Sequence, residues 1–91
     1  MELFNRNYKA VVDRGLIKPN TIDVDFYYKL KEELGEVSDA MLKFDDDNIN
    51  EEVTDCLVVC SNWLTHRGCN IEQMLTQIAE KNEKRAKQSN K

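Results

Sequence analysis

The sequence predicts an all-α fold, a compact antiparallel bundle of about four helices. Two observations predict it. Apolar residues recur at helical spacing along most of the chain, and only one Pro and three Gly interrupt 91 residues rich in strong helix formers. One third of the residues are charged and 41% are apolar, a balance that folds rather than remaining disordered.

The elements follow in order. A first helix is expected from Leu3 to Arg14, with Leu3, Phe4, Tyr8, Val11 and Val12 as its apolar set. Gly15 stops it, and Lys18, Pro19 and Asn20 form a loop. Thr21 is placed to cap the second helix, and Asp23 and Asp25 suit its positive end. That helix is expected from Ile22 to Phe44. Phe26, Leu30, Leu34, Val37, Met41 and Phe44 recur three or four positions apart and make one amphipathic stripe. Gly35 lies inside it and costs about 1 kcal/mol relative to Ala, so it either permits close packing or is simply tolerated.

The stretch DDDNIN, residues 45–50, reads as a turn, with Asn48 or Asn50 capping the third helix. It is not a calcium loop: counted from Asp45 or Asp46, the sixth position is not Gly and the twelfth is not Glu. The third helix is expected from Glu51 to His66, with Gly68 as its stop. Val53, Leu57, Cys60 and Leu64 form one apolar stripe on it, and Cys56, Val59 and Trp63 form a second patch alongside. Asn70 followed by Gln73 is a capping-box variant that opens a fourth helix through Ile71, Leu75 and Ile78. Residues 1–86 read as one domain and 87–91 as a flexible basic tail.

A chain this short buries only about 60% of its unfolded surface, which favours assembly as an oligomer. The net charge of −4 argues against a binder of duplex nucleic acid. No apolar run reaches a membrane span, and MELFNRNYKA has no signal-peptide apolar region. The expected location is therefore cytoplasmic, with the three cysteines as reduced thiols. Without C-x-x-C or paired His, zinc is not expected.

The carboxylates are the unusual feature. At about 100° per residue, Glu33 falls within the apolar stripe of the second helix, and Glu36 neighbours it one turn on. On the third helix Glu52 lies within the Cys56–Val59–Trp63 patch, with Asp55 at its edge. Buried unpaired carboxylates are costly and repel one another, so something positive should neutralise them. Two solutions are open. Lys or Arg could pair with them at a helix or subunit seam, or a divalent cation could sit between two antiparallel helices. Carboxylate oxygens suit Mg²⁺ or Mn²⁺, and Mg²⁺ favours phosphate oxygens as further ligands. The apolar stripe of the fourth helix continues in phase to Asn82, flanked by Lys81 and Arg85, groups that can meet phosphates or simply decorate a helix C-terminus.

Glu33-x-x-Glu36, fifteen intervening residues, Glu52-x-x-Asp55, and then Lys81-Asn82 with Arg85 resemble the MazG-like all-α nucleoside triphosphate pyrophosphohydrolases. The resemblance spans residues 26–86, through LKEELGEV, EEVTDCLVV and EKNEKR. It implies a Mg²⁺-dependent enzyme, with Mn²⁺ as a possible substitute, that cleaves an NTP or dNTP between the α and β phosphates. The products would be a nucleoside monophosphate and pyrophosphate. It further implies that Glu33, Glu36, Glu52 and Asp55 hold the metal and carry catalysis, and that Lys81, Asn82 and Arg85 contact phosphates or sugar. Such proteins are usually dimers or tetramers in which one subunit's helices complete another's site. Branches that prefer dUTP or phosphoribosyl-ATP share the same acidic pattern. Phe4, Tyr8, Tyr27, Tyr28 and Trp63 are available for base stacking, although the area aromatics bury favours core or interface roles. His66 reads as a favourable charge at a helix C-terminus. The rival reading is a non-enzymatic helical interaction module whose acids are salt-bridged at its seam.

Overall fold

The computed structural model describes residues 1–89. It contains four helices: α1 (Glu2–Asp13), α2 (Asp23–Leu42), α3 (Asp46–His66) and α4 (Ile71–Ser89), and the described residues include no strand. Residues 90 and 91, the end of the expected tail, lie outside the described residues.

The helix ends follow local chemistry. Gly15 and Gly68 both sit at φ 77°, the left-handed conformation that glycine adopts without steric cost. Around each, paired backbone bonds close the preceding helix: Gly15 N to Val12 O with Leu16 N to Val11 O, and Gly68 N to Thr65 O with Cys69 N to Leu64 O. The same closure ends α2, through Phe44 N to Met41 O and Asp45 N to Ala40 O. There the left-handed residue is Phe44, at φ 54° and 89% exposed. Phe44 therefore leaves the apolar stripe assigned to the second helix.

Two N-terminal caps differ from expectation. Thr21 Oγ1 accepts from Lys18 N within the loop, and the entry of α2 is instead fixed by Ile22 N donating to Asp25 Oδ2 at 3.1 Å. α3 begins at Asp46 rather than Glu51, because Asp45 Oδ1 accepts from Asn48 N at 3.1 Å. The first turn of α3 then places Asp46 and Asp47 where the helix dipole favours anions. What read as a turn at DDDNIN is mostly helix, and only residues 43–45 connect α2 to α3. The Asn70 cap of α4 forms as expected, with Gln73 N donating to Asn70 Oδ1 at 3.0 Å.

α2 and α3 form the main antiparallel pair, and α1 packs across α3. The buried line on α2 is Phe26, Glu33 and Ala40, with Leu30 and Val37 half-buried between them. Leu34 and Met41, expected in that stripe, face outward. On α3 the second patch, with Val59 buried and Cys56 and Trp63 half-buried, does the packing, while Val53 and Leu57 stay exposed. Phe26 stacks on Trp63 with centroids 6.1 Å apart and planes 8° from parallel. Trp63 Nε1 donates to Asp23 Oδ1 at 2.8 Å, and Arg67 holds Asp23 Oδ2 at 2.7 Å. His66 is more than an end charge. Its Nε2 meets the Thr21 carbonyl at 2.8 Å, so Nε2 carries the proton, and Nδ1 accepts from Tyr8 Oη at 3.0 Å. One imidazole thus ties α1 and the α1–α2 loop to the end of α3.

The compact four-helix bundle is not what a single chain forms. α4 touches only α3 and is exposed from Glu72 onward among the residues whose side chains are described. The radius of gyration is 15.8 Å, against roughly 12 Å for a compact chain of this length. Three helices pack together, and the fourth projects.

Candidate active site

The antiparallel pairing of α2 and α3 brings the four acids together. Glu33 and Glu36 lie one turn apart on α2, and Glu52 and Asp55 one turn apart on α3. One carboxylate oxygen from each lies within 4.8 Å of the others. Glu33 is buried, Glu52 and Asp55 are half-buried, and Glu36 stands at the exposed rim.

The partners within the cluster are few. Lys29 Nζ reaches Glu33 Oε1 at 3.2 Å and Glu32 Oε1 at 3.5 Å. Burial lowers the pKa of Lys29, but its hydrogen bond and charge contacts with Glu33 and Glu32 outweigh that, and the net direction is upward. Glu33 Oε2 and Glu52 Oε2 are buried with no hydrogen-bond partner. Glu36 is held above the usual carboxylate range, first by its hydrogen bond to Glu52, against an opposing hydrogen bond to Glu33. Cys56, one residue beyond Asp55, has its thiol pushed up by burial first and then by the charges of Glu33, Cys60, Asp55 and Glu52.

Orphaned buried carboxylate oxygens converging on one point lack a positive charge between them. The donor set is all oxygen, which suits a hard divalent cation such as Mg²⁺ or Mn²⁺. These residues therefore fit a metal on chemistry as well as on spacing.

Beside the acids a cleft of about 640 Å³ opens between α1, the α1–α2 loop, α2 and α3. Glu33 and Asp55 line it, as do Phe26, Tyr28 and Asn62. Lys29 and Asn62 were not singled out from the sequence. Lys29 was legible as an i, i+4 partner of Glu33, whereas an amide inside an apolar segment gives no periodic signal.

Lys81, Asn82 and Arg85 are not brought to this cluster. All three are exposed on the projecting α4, and none lines the cleft. The aromatics divide. Trp63 and Tyr8 are engaged with Phe26 and His66, Tyr27 packs on Tyr28 with centroids 5.8 Å apart, and Tyr28 remains 63% exposed at the cleft. The three cysteines are free thiols. No helix among the described residues is long and apolar enough to cross a membrane.

No curated protein and no solved structure is similar enough to this chain to count as a match. The family model of the MazG nucleotide pyrophosphohydrolase domain matches residues 26–89. That span begins at Phe26 in the first turn of α2, contains all four acids, and ends with α4. The matched span is most of the chain, and the chain belongs to the MazG nucleotide pyrophosphohydrolase family.

Proposed function

We propose that this protein is a Mg²⁺-dependent nucleotide pyrophosphohydrolase that cleaves an NTP or dNTP between the α and β phosphates. It would release a nucleoside monophosphate and pyrophosphate, and it would work in the cytoplasm. The observation that carries the proposal is the pair of orphaned buried oxygens, Glu33 Oε2 and Glu52 Oε2, inside a four-carboxylate cluster of a matched family domain.

Glu33, Glu36, Glu52 and Asp55 would hold the cation. Bound there, Mg²⁺ would neutralise phosphate charge and favour attack by water on phosphorus. Lys29 fixes Glu33 through Oε1 and leaves Oε2 buried without a partner. The hydrogen bond to Glu52 holds Glu36 above the usual carboxylate range, and a cation bound beside it would oppose that shift. The half-buried position of Glu52 and Asp55 restricts water around the reacting phosphate and strengthens charge interactions there.

Lys81, Asn82 and Arg85 are proposed to bind phosphates or sugar. Because α4 projects from its own chain, this role calls for α4 to reach a second copy, in a homodimer or homotetramer. Exposed Leu34, Met41, Val53, Leu57, Leu75 and Ile78 supply apolar surface for such an assembly. A seam salt-bridged within the chain fits less well: among the described ion pairs, only Lys29 reaches the acids, and it reaches Glu33 alone of the four.

The test is product analysis. NTPs, dNTPs and phosphoribosyl-ATP are incubated with the protein, with Mg²⁺ or EDTA, beside Glu52→Gln. The expected result is monophosphate plus pyrophosphate, lost with EDTA and in the variant. Release of a diphosphate and orthophosphate, or no turnover at all, would overturn the proposal.

A further inference from the structure

Asn62 is 5% exposed, and its Oδ1 is buried with no hydrogen-bond donor. An unsatisfied buried acceptor destabilises the fold, so an apolar residue of similar size would fold better here. Yet Asn62 sits at the wall of a cavity. It lines the cleft of about 640 Å³ that also borders Glu33 and Asp55.

The positions along the cleft are ordered. On α3, Asp55, Val58, Val59 and Asn62 line it at helical spacing, so Asn62 lies two turns, about 10 Å, along the axis from Asp55. On α2, Phe26 lies the same distance from Glu33, in the opposite chain direction. One end of the cleft therefore carries Glu33 and Asp55, the middle is Val58 and Val59, and the far end pairs the Asn62 amide with the Phe26 ring, with Asp25 beside that ring. An acidic end, an apolar middle and an amide end match a nucleotide laid lengthwise, phosphates first.

We propose that the Asn62 end of the cleft receives the nucleobase, with the Asn62 side-chain amide turning from its unpartnered position to hydrogen-bond the base edge. This orientation rests on the reading of the acids as the phosphate end. A primary amide carries a donor and an acceptor side by side. Its complement is a heterocycle edge with an N–H next to an acceptor, as nucleobases present. Tyr28, exposed at the same cleft, offers a ring face beside that edge. Asn62 would be a specificity-determining residue: a base that left the amide unpaired would be rejected, because buried polar groups demand partners.

The test is NMR titration of ¹⁵N-labelled protein with Mg²⁺ present. The ligands are uridine, cytidine, adenosine and guanosine 5′-monophosphates, with ribose 5-phosphate as the base-free control. The expected result is that the Asn62 side-chain amide signal moves with at least one nucleotide and not with ribose 5-phosphate. The Kd for that nucleotide should lie about tenfold or more below the control. Asn62→Leu should erase this preference, leave ribose 5-phosphate binding unchanged, and melt no lower than the parent. Asn62→Asp, which keeps the shape and removes the donor, should weaken or reorder the base preference. An Asn62 signal that no nucleotide moves, or a preference retained in both variants, would overturn the inference. The two readings fail separately. Pyrophosphate release with a silent Asn62 signal sinks the base site alone, whereas base-dependent shifts without turnover sink the hydrolase reading alone.

Discussion

Replacing Glu52 with Gln tests whether the acids form a cation site or merely a charged border. At 4.8 Å, the outer limit of the cluster, two unit charges repel by roughly 3.5 kcal/mol at an effective dielectric of about 20 and by about 0.9 kcal/mol in bulk water. Glu52 is only half-buried, so solvent screening places its repulsion with Glu33 nearer the lower figure. The amide removes that repulsion and can donate to a neighbouring carboxylate. At roughly 4–8 °C per kcal/mol for a chain of this size, the metal-free Tm of Glu52→Gln should rise by several degrees. With Mg²⁺ the order reverses. An ion at about 100 times its Kd stabilises the parent by about 2.7 kcal/mol, and the variant, lacking one ligand, should gain less than half of that. The assay is a circular-dichroism melt at fixed protein concentration, in EDTA and in Mg²⁺, for both proteins. Equal Mg²⁺ shifts in the two, or a variant less stable in EDTA, would refute the cation-site reasoning.

Four further outcomes are expected. The raised pKa of Glu36 means that the metal-free native state holds a proton the unfolded chain releases, so stability in EDTA should fall as pH rises from the ordinary carboxylate range through the folded pKa. Asp23 is held low by the Trp63 indole N–H first and then by Arg67, so its contribution is present above the unfolded value and is lost as pH falls through the folded one; urea midpoints across pH should pass through a mildly acidic maximum. Phe44→Gly should stabilise by about 1 kcal/mol, because a bulky side chain at φ 54° is strained, and an unchanged urea midpoint would show that its side chain makes compensating contacts. Phe26→Ala should cost about 3–5 kcal/mol by opening the stack on Trp63, a large share of the roughly 5–14 kcal/mol available to 91 residues, and urea unfolding would show it.

The acids were legible in the sequence because their i, i+3 spacing on two helices survives any small error in helix rotation. The buried face of α2 was not legible. Apolar residues occupy two faces, and the wheel averages them into one stripe that includes Leu34 and Met41. Only packing on α3 chooses the Phe26–Glu33–Ala40 line. The start of α3 was hidden because consecutive aspartates suit turns and helix N-termini alike, and the Asp45 cap decides between them. Nor does the sequence show His66 bridging to Tyr8 and Thr21, since those partners lie 58 and 45 positions away. Asn82 was read from its phase on α4, but phase carries no information about where a projecting helix goes.

The connection of only residues 43–45 between α2 and α3 has a consequence for the order of folding. Glu33 and Asp55 are 22 positions apart, and the pair they sit on is a local helical hairpin. Loops this short close at small entropic cost, and local helical contacts form fast. The acids are therefore expected to meet early, before the Tyr8–His66 bond draws α1 onto α3. Their mutual repulsion then opposes the folding nucleus itself and not only the finished state. A divalent cation should accordingly speed refolding more than it slows unfolding, which stopped-flow chevrons with and without Mg²⁺ would read directly. On the proposed reading, the acid cluster would act as a brake on folding that a bound divalent cation releases.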